Sequence, residues 1–265
     1  MILPPVFLVF AVSTAETNLA KPEAAWSFNS TLGYCIAQQL NGSDEGIRIL
    51  RTPASIDTRI VIFDPAKWGD RSDADYENAT VRIGADQTYL STARAGPARS
   101  TATRFSSVLV IDPDFLSRFS AASSASVWHP KFGLMSVNFR ASALATDELR
   151  KCEDMKMTAM GIDPVVWRSL QRPPQPLANP DDWIRPEWLR LSGSGYSQAV
   201  IRVNVLPDGT VKNCTGLDPS IPTLVNQAAC VGLKKRGRFR PALDAHGQPV
   251  EAPFVIVEEL RFRSS

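Results

Sequence analysis

Residues Val200–Val211 read VIRVNVLPDGTV, and this stretch decides the fold of the C-terminal part of the chain. Ile201, Val203 and Val205 alternate with Arg202 and Asn204, the period of a strand with one apolar and one wet face. Pro207-Asp208-Gly209-Thr210 makes a tight turn in which Gly209 is free to take a positive φ. Val211–Leu217 returns as the hairpin partner. Asp218-Pro219-Ser220 opens a helix over Pro222–Arg236, with Leu224, Ala228 and Val231 at i, i+4 and i+7 as its expected buried stripe. Lys234, Lys235 and Arg236 occupy its last turn, where the helix dipole favours cations, and Gly237 ends it. Phe254–Phe262 is a closing strand with Phe254, Ile256, Leu260 and Phe262 on one side. Glu258 interrupts that side, which a sheet edge tolerates better than a sheet centre. The order is therefore strand, strand, helix, strand.

Working outward from this unit, Arg172–Pro186 (RPPQPLANPDDWIRP) holds five prolines and neither a helical nor an alternating period. It reads as a linker over 171–188, or as a chain draped on a domain surface. It separates an N-terminal domain (16–170) from the C-terminal one (189–265). The N-terminal part reads as α+β, which makes the whole chain α+β. Candidate strands are Arg48–Leu50, Arg59–Phe63, Ala79–Ile83, Val108–Ile111 and Gly133–Phe139, all short and rich in Val, Ile and Phe. One helix is expected to start at Asp112 with Pro113 in its first position, running through Phe115, Leu116 and Phe119. A second spans Ala143–Met160 with Leu144, Leu149, Cys152, Met155 and Met160 as its apolar stripe and Gly161 at its end. The methionines read as core filling rather than a metal or cofactor box. Ser91–Ser107, rich in Ser, Thr, Ala and Arg, reads as a loop.

At the N-terminus, Ile2–Val12 (ILPPVFLVFAV) is an unbroken apolar and proline run, followed by Ser13-Thr14-Ala15 with small residues where a signal peptidase cleaves. Residues 1–15 therefore read as a secretory signal, although no Lys or Arg precedes the run. A membrane-spanning helix takes about 20 residues, so this run is too short to be one. A start codon further upstream would lengthen it and restore an inner-membrane anchor. The chain has four cysteines, Cys35, Cys152, Cys214 and Cys230, with no CxxC pair and no His at metal-ligand spacing. In an exported chain they indicate two disulfides in one of three connectivities. Cys35–Cys152 and Cys214–Cys230 are favoured because each then lies within one domain.

The two C-terminal strands with their Cys, the helix ending in RGRFRPALD (236–244), the HGQPV run (246–250) and the closing strand resemble the C-terminal domain of the TonB family, the periplasmic end of bacterial energy transducers. The motif residues that carry the likeness are Phe239, Pro241, Ala242, Gly247 and Pro249. Phe239 is placed to plug the helix onto the sheet, Pro241 to prevent a return to helix, and Gly247 to allow the turn into the last strand. Asn179-Pro180 and Trp183 look like the lead-in of a secreted, cysteine-bearing branch. Residues 16–170 are similar in layout to regions that accompany such domains in alphaproteobacterial proteins. The resemblance implies a small β-β-α-β sheet whose last strand captures an extended peptide, the TonB box, from an outer-membrane receptor. Backbone hydrogen bonds give affinity in such strand addition, and alternate side chains give choice. On this sequence the edge is Phe254, Val255, Ile256, Val257, Glu258, Glu259 and Leu260. The sequence departs from a full transducer in its short apolar segment and in the folded domain that replaces the long proline-rich spacer.

The remaining residues argue against catalysis. There are two histidines, His129 in a loop-like Trp-His-Pro and His246 in a turn, with no GxSxG elbow and no paired partner. Ser192-Gly193-Ser194-Gly195 lacks the Lys and preceding strand of a phosphate loop. Adjacent Glu258 and Glu259 on a strand point to opposite faces and make a poor acid/base dyad, and Asp181, Asp182 and Glu187 read as solvated surface. A net charge of +2 from 29 basic and 27 acidic residues excludes the basic excess of a nucleic-acid binder. Lys234–Arg240 still gathers five cations in seven residues, able to dock an anionic lipid or an acidic partner. The expectation is an exported, non-enzymatic, cofactor-free periplasmic protein that binds an outer-membrane receptor or other envelope protein by strand addition. The alternatives are an envelope structural or cell-wall-binding module, or a hydrolase with its site in the N-terminal domain.

Overall fold

The computed structural model describes residues 25–41, 45–67, 75–85, 87–97, 103–130, 133–184 and 195–262. The signal over 1–15, Glu187 and Ser192–Ser194 lie outside the described residues. The protein is α+β throughout.

The N-terminal unit is built on strands β1 (Ser27–Ser30), β2 (Cys35–Leu40), β3 (Gly46–Arg51), β4 (Asp57–Lys67), β5 (Asp75–Ile83), β6 (Gln87–Pro97) and β7 (Thr103–Ile111). Helix α1 (Phe115–Ser120), strands β8 (Ser124–His129) and β9 (Gly133–Asn138), helix α2 (Ser142–Ala159) and helix α3 (Pro164–Arg168) follow. The strands form one nine-stranded sheet in the order β1-β2-β3-β4-β7-β6-β5-β8-β9, antiparallel at every step. The sheet curls until β9 comes beside β3 and β4. Period-2 alternation explains its inner face: Ile47 and Ile49, Ile60 and Ile62, Val81, Val108 and Val110, Val127, and Met135 are all buried. One end of this core is filled by Phe115 and Phe119 of α1 with Trp26 and Phe139, ring centroids lying 5.2–6.1 Å apart.

The five strands expected here all exist, and so do both helices, but several local readings change. Ser91–Ser107 is not a loop: its ends belong to β6 and β7, and residues 98–102 lie outside the described residues. Small and hydroxylated residues occur in strands as well as in loops, and Ser106 is fully buried, so composition alone misleads there. His129 is the last residue of β8 and fully buried, not part of a loop. Helix α1 starts at Phe115 rather than Asp112; the Asp112 carboxylate accepts from the Asp114 amide (3.0 Å), Tyr89 Oη–H (2.7 Å) and Arg118 (2.6 Å) in the turn that precedes it. In α2, Leu144 and Met155 face solvent. Thr146 and Glu153 instead take inward positions beside Ala145, Leu149 and Met157.

From Ser169 onward the chain runs along the second unit. Arg172 exchanges backbone hydrogen bonds with Leu243 (3.4 and 2.8 Å). Strand β10 (Gln175–Pro176) pairs with β13 (Phe239–Arg240), and the Leu177 amide donates to the Arg238 carbonyl. Trp183 enters the second core against Phe239 at 5.2 Å, and Arg236 donates to its carbonyl. The proline-rich segment is thus draped along the C-terminal unit as far as it is described.

That unit comprises β11 (Gly195–Val205), β12 (Val211–Gly216), α4 (Thr223–Arg236), β13, β14 (Ala242–Leu243), β15 (Pro249–Val250) and β16 (Ala252–Phe262). The main sheet is antiparallel in the order β12-β11-β16, and β14 pairs with β15. Gly209 takes φ 80°, and a Cβ there would meet the Phe239 carbonyl oxygen at 2.1 Å, so the hairpin turn needs glycine on both counts. The buried face of α4 is one position round from the expected stripe: Val225, Ala229, Gly232 and Leu233 are buried, while Leu224 and Val231 are exposed. Leu224 and Val225 are both apolar, as are Ala228 and Ala229, so the period does not choose between the two adjacent stripes. The Cys214–Cys230 bond and contact with β12 set the phase instead.

Both faces of the small sheet are covered. Ala199, Ile201, Val203, Val205, Phe254 and Ile256 face α4, Trp183 and Phe239. Val200, Val255 and Val257 pack on Ala54, Met157, Met160, Ile162 and Trp167 of the first unit. The face expected to be wet is therefore partly an interdomain joint, in which Arg202 donates to the Met160 carbonyl at 2.5 Å.

Candidate docking edge

Strand β16 pairs with β11 over its whole length, from Ala252 opposite Val205 to Phe262 opposite Gly195, and β11 is its one strand neighbour among the described residues. In an antiparallel ladder, alternate residues turn their backbone N–H and C=O to opposite sides. The Val255 amide points away from β11, because it donates to the Ala54 carbonyl at 3.2 Å. Residues of the same parity, Pro253, Val257, Glu259 and Arg261, therefore present the outer margin.

That margin is closed at one end by the protein itself. Pro253 has no N–H, and its carbonyl accepts the Trp167 indole N–H at 3.3 Å. Val255 is capped by Ala54. At Val257 the outward N–H and C=O have no hydrogen-bond partner among the described residues.

The cap is a short buried loop between β3 and β4. Thr52, Ala54, Ser55 and Ile56 are all buried, and Ala54 takes φ 52°, a left-handed conformation that disfavours any residue with a Cβ. Arg51 holds the loop in that shape. Its guanidinium donates to the Thr58 hydroxyl (2.7 Å), to the Ile56 and Ser55 carbonyls (both 3.4 Å) and to the Glu153 carboxylate (2.9 Å). Arg51 and Glu153 side chains are only 6% and 7% exposed, so each needs the other. Arg168 lies 3.9 Å from the second Glu153 oxygen and also pairs with Asp154. At the end of the loop, burial pushes the Asp57 carboxyl above its usual range, against a hydrogen bond from Ser55 and the charges of Arg51 and Arg59.

The turn between β1 and β2 forms the other wall. A Cβ on Gly33 would meet Val257 Cγ2 at 2.8 Å and Cγ1 at 2.9 Å, so the turn seats Val257 only because Gly33 has no side chain. Lys156 fastens this turn by donating to the Thr31 carbonyl, and burial lowers its pKa.

The expected edge residues are thus divided. Phe254 and Ile256 are core residues, Val255 is buried and capped, and Val257 and Glu258 are half-buried. Glu259 and Leu260 lie within β16, but their side chains lie outside what is described. Of the motif residues, Phe239 bridges Trp183 and Phe254, and Ala242 is buried. The Pro241 carbonyl accepts from Arg172 at 3.1 Å, Gly247 takes φ 76°, and Pro249 opens β15. Both expected disulfides are present, Cys35–Cys152 and Cys214–Cys230, with Cα atoms 5.9 and 5.4 Å apart.

Four participants were not foreseen: Arg51, Ala54, Glu153 and Trp167. A signal for two of them does exist in the sequence. Arg51 continues the inward parity of Ile47 and Ile49, and Glu153 continues the inward i+4 series of Ala145 and Leu149. Opposite charges that break two apolar stripes mark a buried pair.

Among the described residues no helix is long and apolar enough to cross a membrane, and no three His, Cys, Asp or Glu side chains converge in a way that could hold a metal. Comparison of the chain with family models, with curated proteins and with solved structures found no match.

Proposed function

We propose that the protein is exported to the periplasm of a Gram-negative envelope, where its C-terminal unit captures an extended segment of an outer-membrane receptor or another envelope protein. The segment adds as a strand to β16 from Val257 onward. The margin at Val257 carries this reading: among the described residues β16 has a strand neighbour on one side only, and the outward backbone groups of Val257 have no partner. The resemblance of the RGRFRPALD and HGQPV runs to TonB C-terminal domains supports it, as do the disulfides, which persist in oxidising compartments. The function is binding, without chemistry and without a cofactor. In TonB-dependent transport the protein would engage a receptor segment as a rigid two-domain unit. The interdomain joint and the draped proline segment support that over a long tether that transmits force.

Val257→Pro tests the reading. The Val257 N–H faces away from β11, so proline there removes the free donor and leaves the β11 ladder intact. A photo-crosslinker at Glu259 in the living envelope should trap a receptor or envelope protein in the parent and in Val257→Ala, and trap it at least about tenfold less in Val257→Pro. Equal trapping in all three variants would overturn strand addition at this margin.

A further inference from the structure

A second site lies at the opposite margin of the same sheet and does not depend on the strand-addition reading. Arg202 pairs with Thr215 and Asn204 with Asn213 across the β11–β12 ladder, which puts four polar side chains on one face. With Cys214, and with Lys234 coming from the α4 side of the sheet, they line a groove of about 310 Å³ beside β12. Its two cations are held from different sides. The Arg202 guanidinium is anchored through one NH1 hydrogen to the Met160 carbonyl at 2.5 Å, which leaves Nε–H, the second NH1 hydrogen and both NH2 hydrogens as donors. Lys234 stands one helical turn after Cys230, whose bond to Cys214 ties that turn of α4 to β12. Among the described residues no carboxylate lines the groove. The neighbouring acid, Glu251, is already engaged by Asn204 Nδ2 (2.8 Å) and Lys212 Nζ (3.2 Å), and those partners hold its pKa below the usual range.

A groove with a fixed guanidinium, an ammonium, the Thr215 hydroxyl and the Asn213 amide, whose adjacent acid Glu251 is already held by Asn204 and Lys212, is complementary to an oxyanion. We infer that this groove binds the carboxylate or phosphate group of an anionic ligand, with Arg202 as the directional donor and Lys234 as the point charge. It also gives a use to Lys234, the first cation of the run over 234–240.

The test is a titration of the full-length mature chain, ¹⁵N-labelled, with inorganic phosphate in one arm and acetate in the other, at constant ionic strength. Saturable shifts are expected at the Asn213 and Thr215 amides and at Arg202 Nε–H, and the arm that saturates at lower concentration identifies the preferred group. Lys234→Gln alters an exposed side chain and should weaken binding about tenfold; Arg202→Lys keeps the charge, loses the fork and should weaken it by a similar factor. Shifts that stay linear in both arms, or saturable binding as tight in both variants as in the parent, would overturn the site.

Discussion

Glu153→Ala should lower the stability of the protein by about 3–5 kcal/mol, the cost of stranding a buried charge by removing its partner. For a protein of this size that is a fall in melting temperature of roughly 6–20 °C. The loss reaches the docking edge through contiguous contacts. Without Glu153, the buried Arg51 guanidinium keeps its bonds to Thr58, Ser55 and Ile56 but loses the carboxylate that hydrogen-bonds it, and Asp57, the acid whose carboxyl it still acts on, is pushed toward its neutral form by burial. The Thr52–Ile56 loop then loosens, and Ala54 is no longer held at φ 52° beneath the Val255 amide. The Val255 amide should accordingly exchange faster in Glu153→Ala than in the parent. Replacing the pair together, Arg51→Met with Glu153→Leu, should recover much of the loss, because an apolar pair of similar volume needs no counter-ion. A Glu153→Ala protein that melts within a degree of the parent would show that the pair does not hold the loop.

The second large effect is expected from the disulfides, and it is unequal. Cys35–Cys152 joins residues 117 apart in sequence, Cys214–Cys230 residues 16 apart. In the chain-entropy model a loop of about 100 residues is worth about 4.7 kcal/mol and one of about 15 residues about 3 kcal/mol. Cys35→Ser with Cys152→Ser should therefore cost more than Cys214→Ser with Cys230→Ser. The long-range bond also sits beside the ion pair: Cys35 faces Arg51 across the β2–β3 ladder, and Cys152 precedes Glu153 on α2. Losing both fastenings should deviate from additivity, since neighbouring contacts share the same displaced helix. Thermal melts of the two double-serine variants check this, and equal losses, or a larger loss from the Cys214–Cys230 pair, would contradict it.

Much of the scaffold was legible because its signals are local. Ile201, Val203 and Val205 with the Asp208-Gly209 turn specify a hairpin whatever lies around them, and the hairpin is there. The limits of α4 and β16 follow from Gly237 and from the run of apolar residues after Pro253. The cysteine pairing followed from keeping each bond within a domain. What sequence could not supply was which face meets what. The α4 stripe was read one residue off because Leu224 and Val225 are equally apolar, and only the tie to β12 decides between them. The Thr52–Ile56 segment has the composition of an exposed turn, yet it is buried because a distant sheet closes over it. The strand proposed as the edge is present, but its inner half is capped by contacts more than 80 residues away in sequence, Trp167 to Pro253 and Ala54 to Val255, which no local period reports.

The most direct test is amide hydrogen exchange along β16, measured on the free protein and again with the envelope protein it captures. Val255, bonded to Ala54, is expected to exchange slowly in both states. Val257 is expected to exchange rapidly alone and to become protected in the complex. A Val257 amide already as slow as Val255 in the free protein, or one whose rate the partner leaves unchanged, would contradict an open margin that takes up another chain.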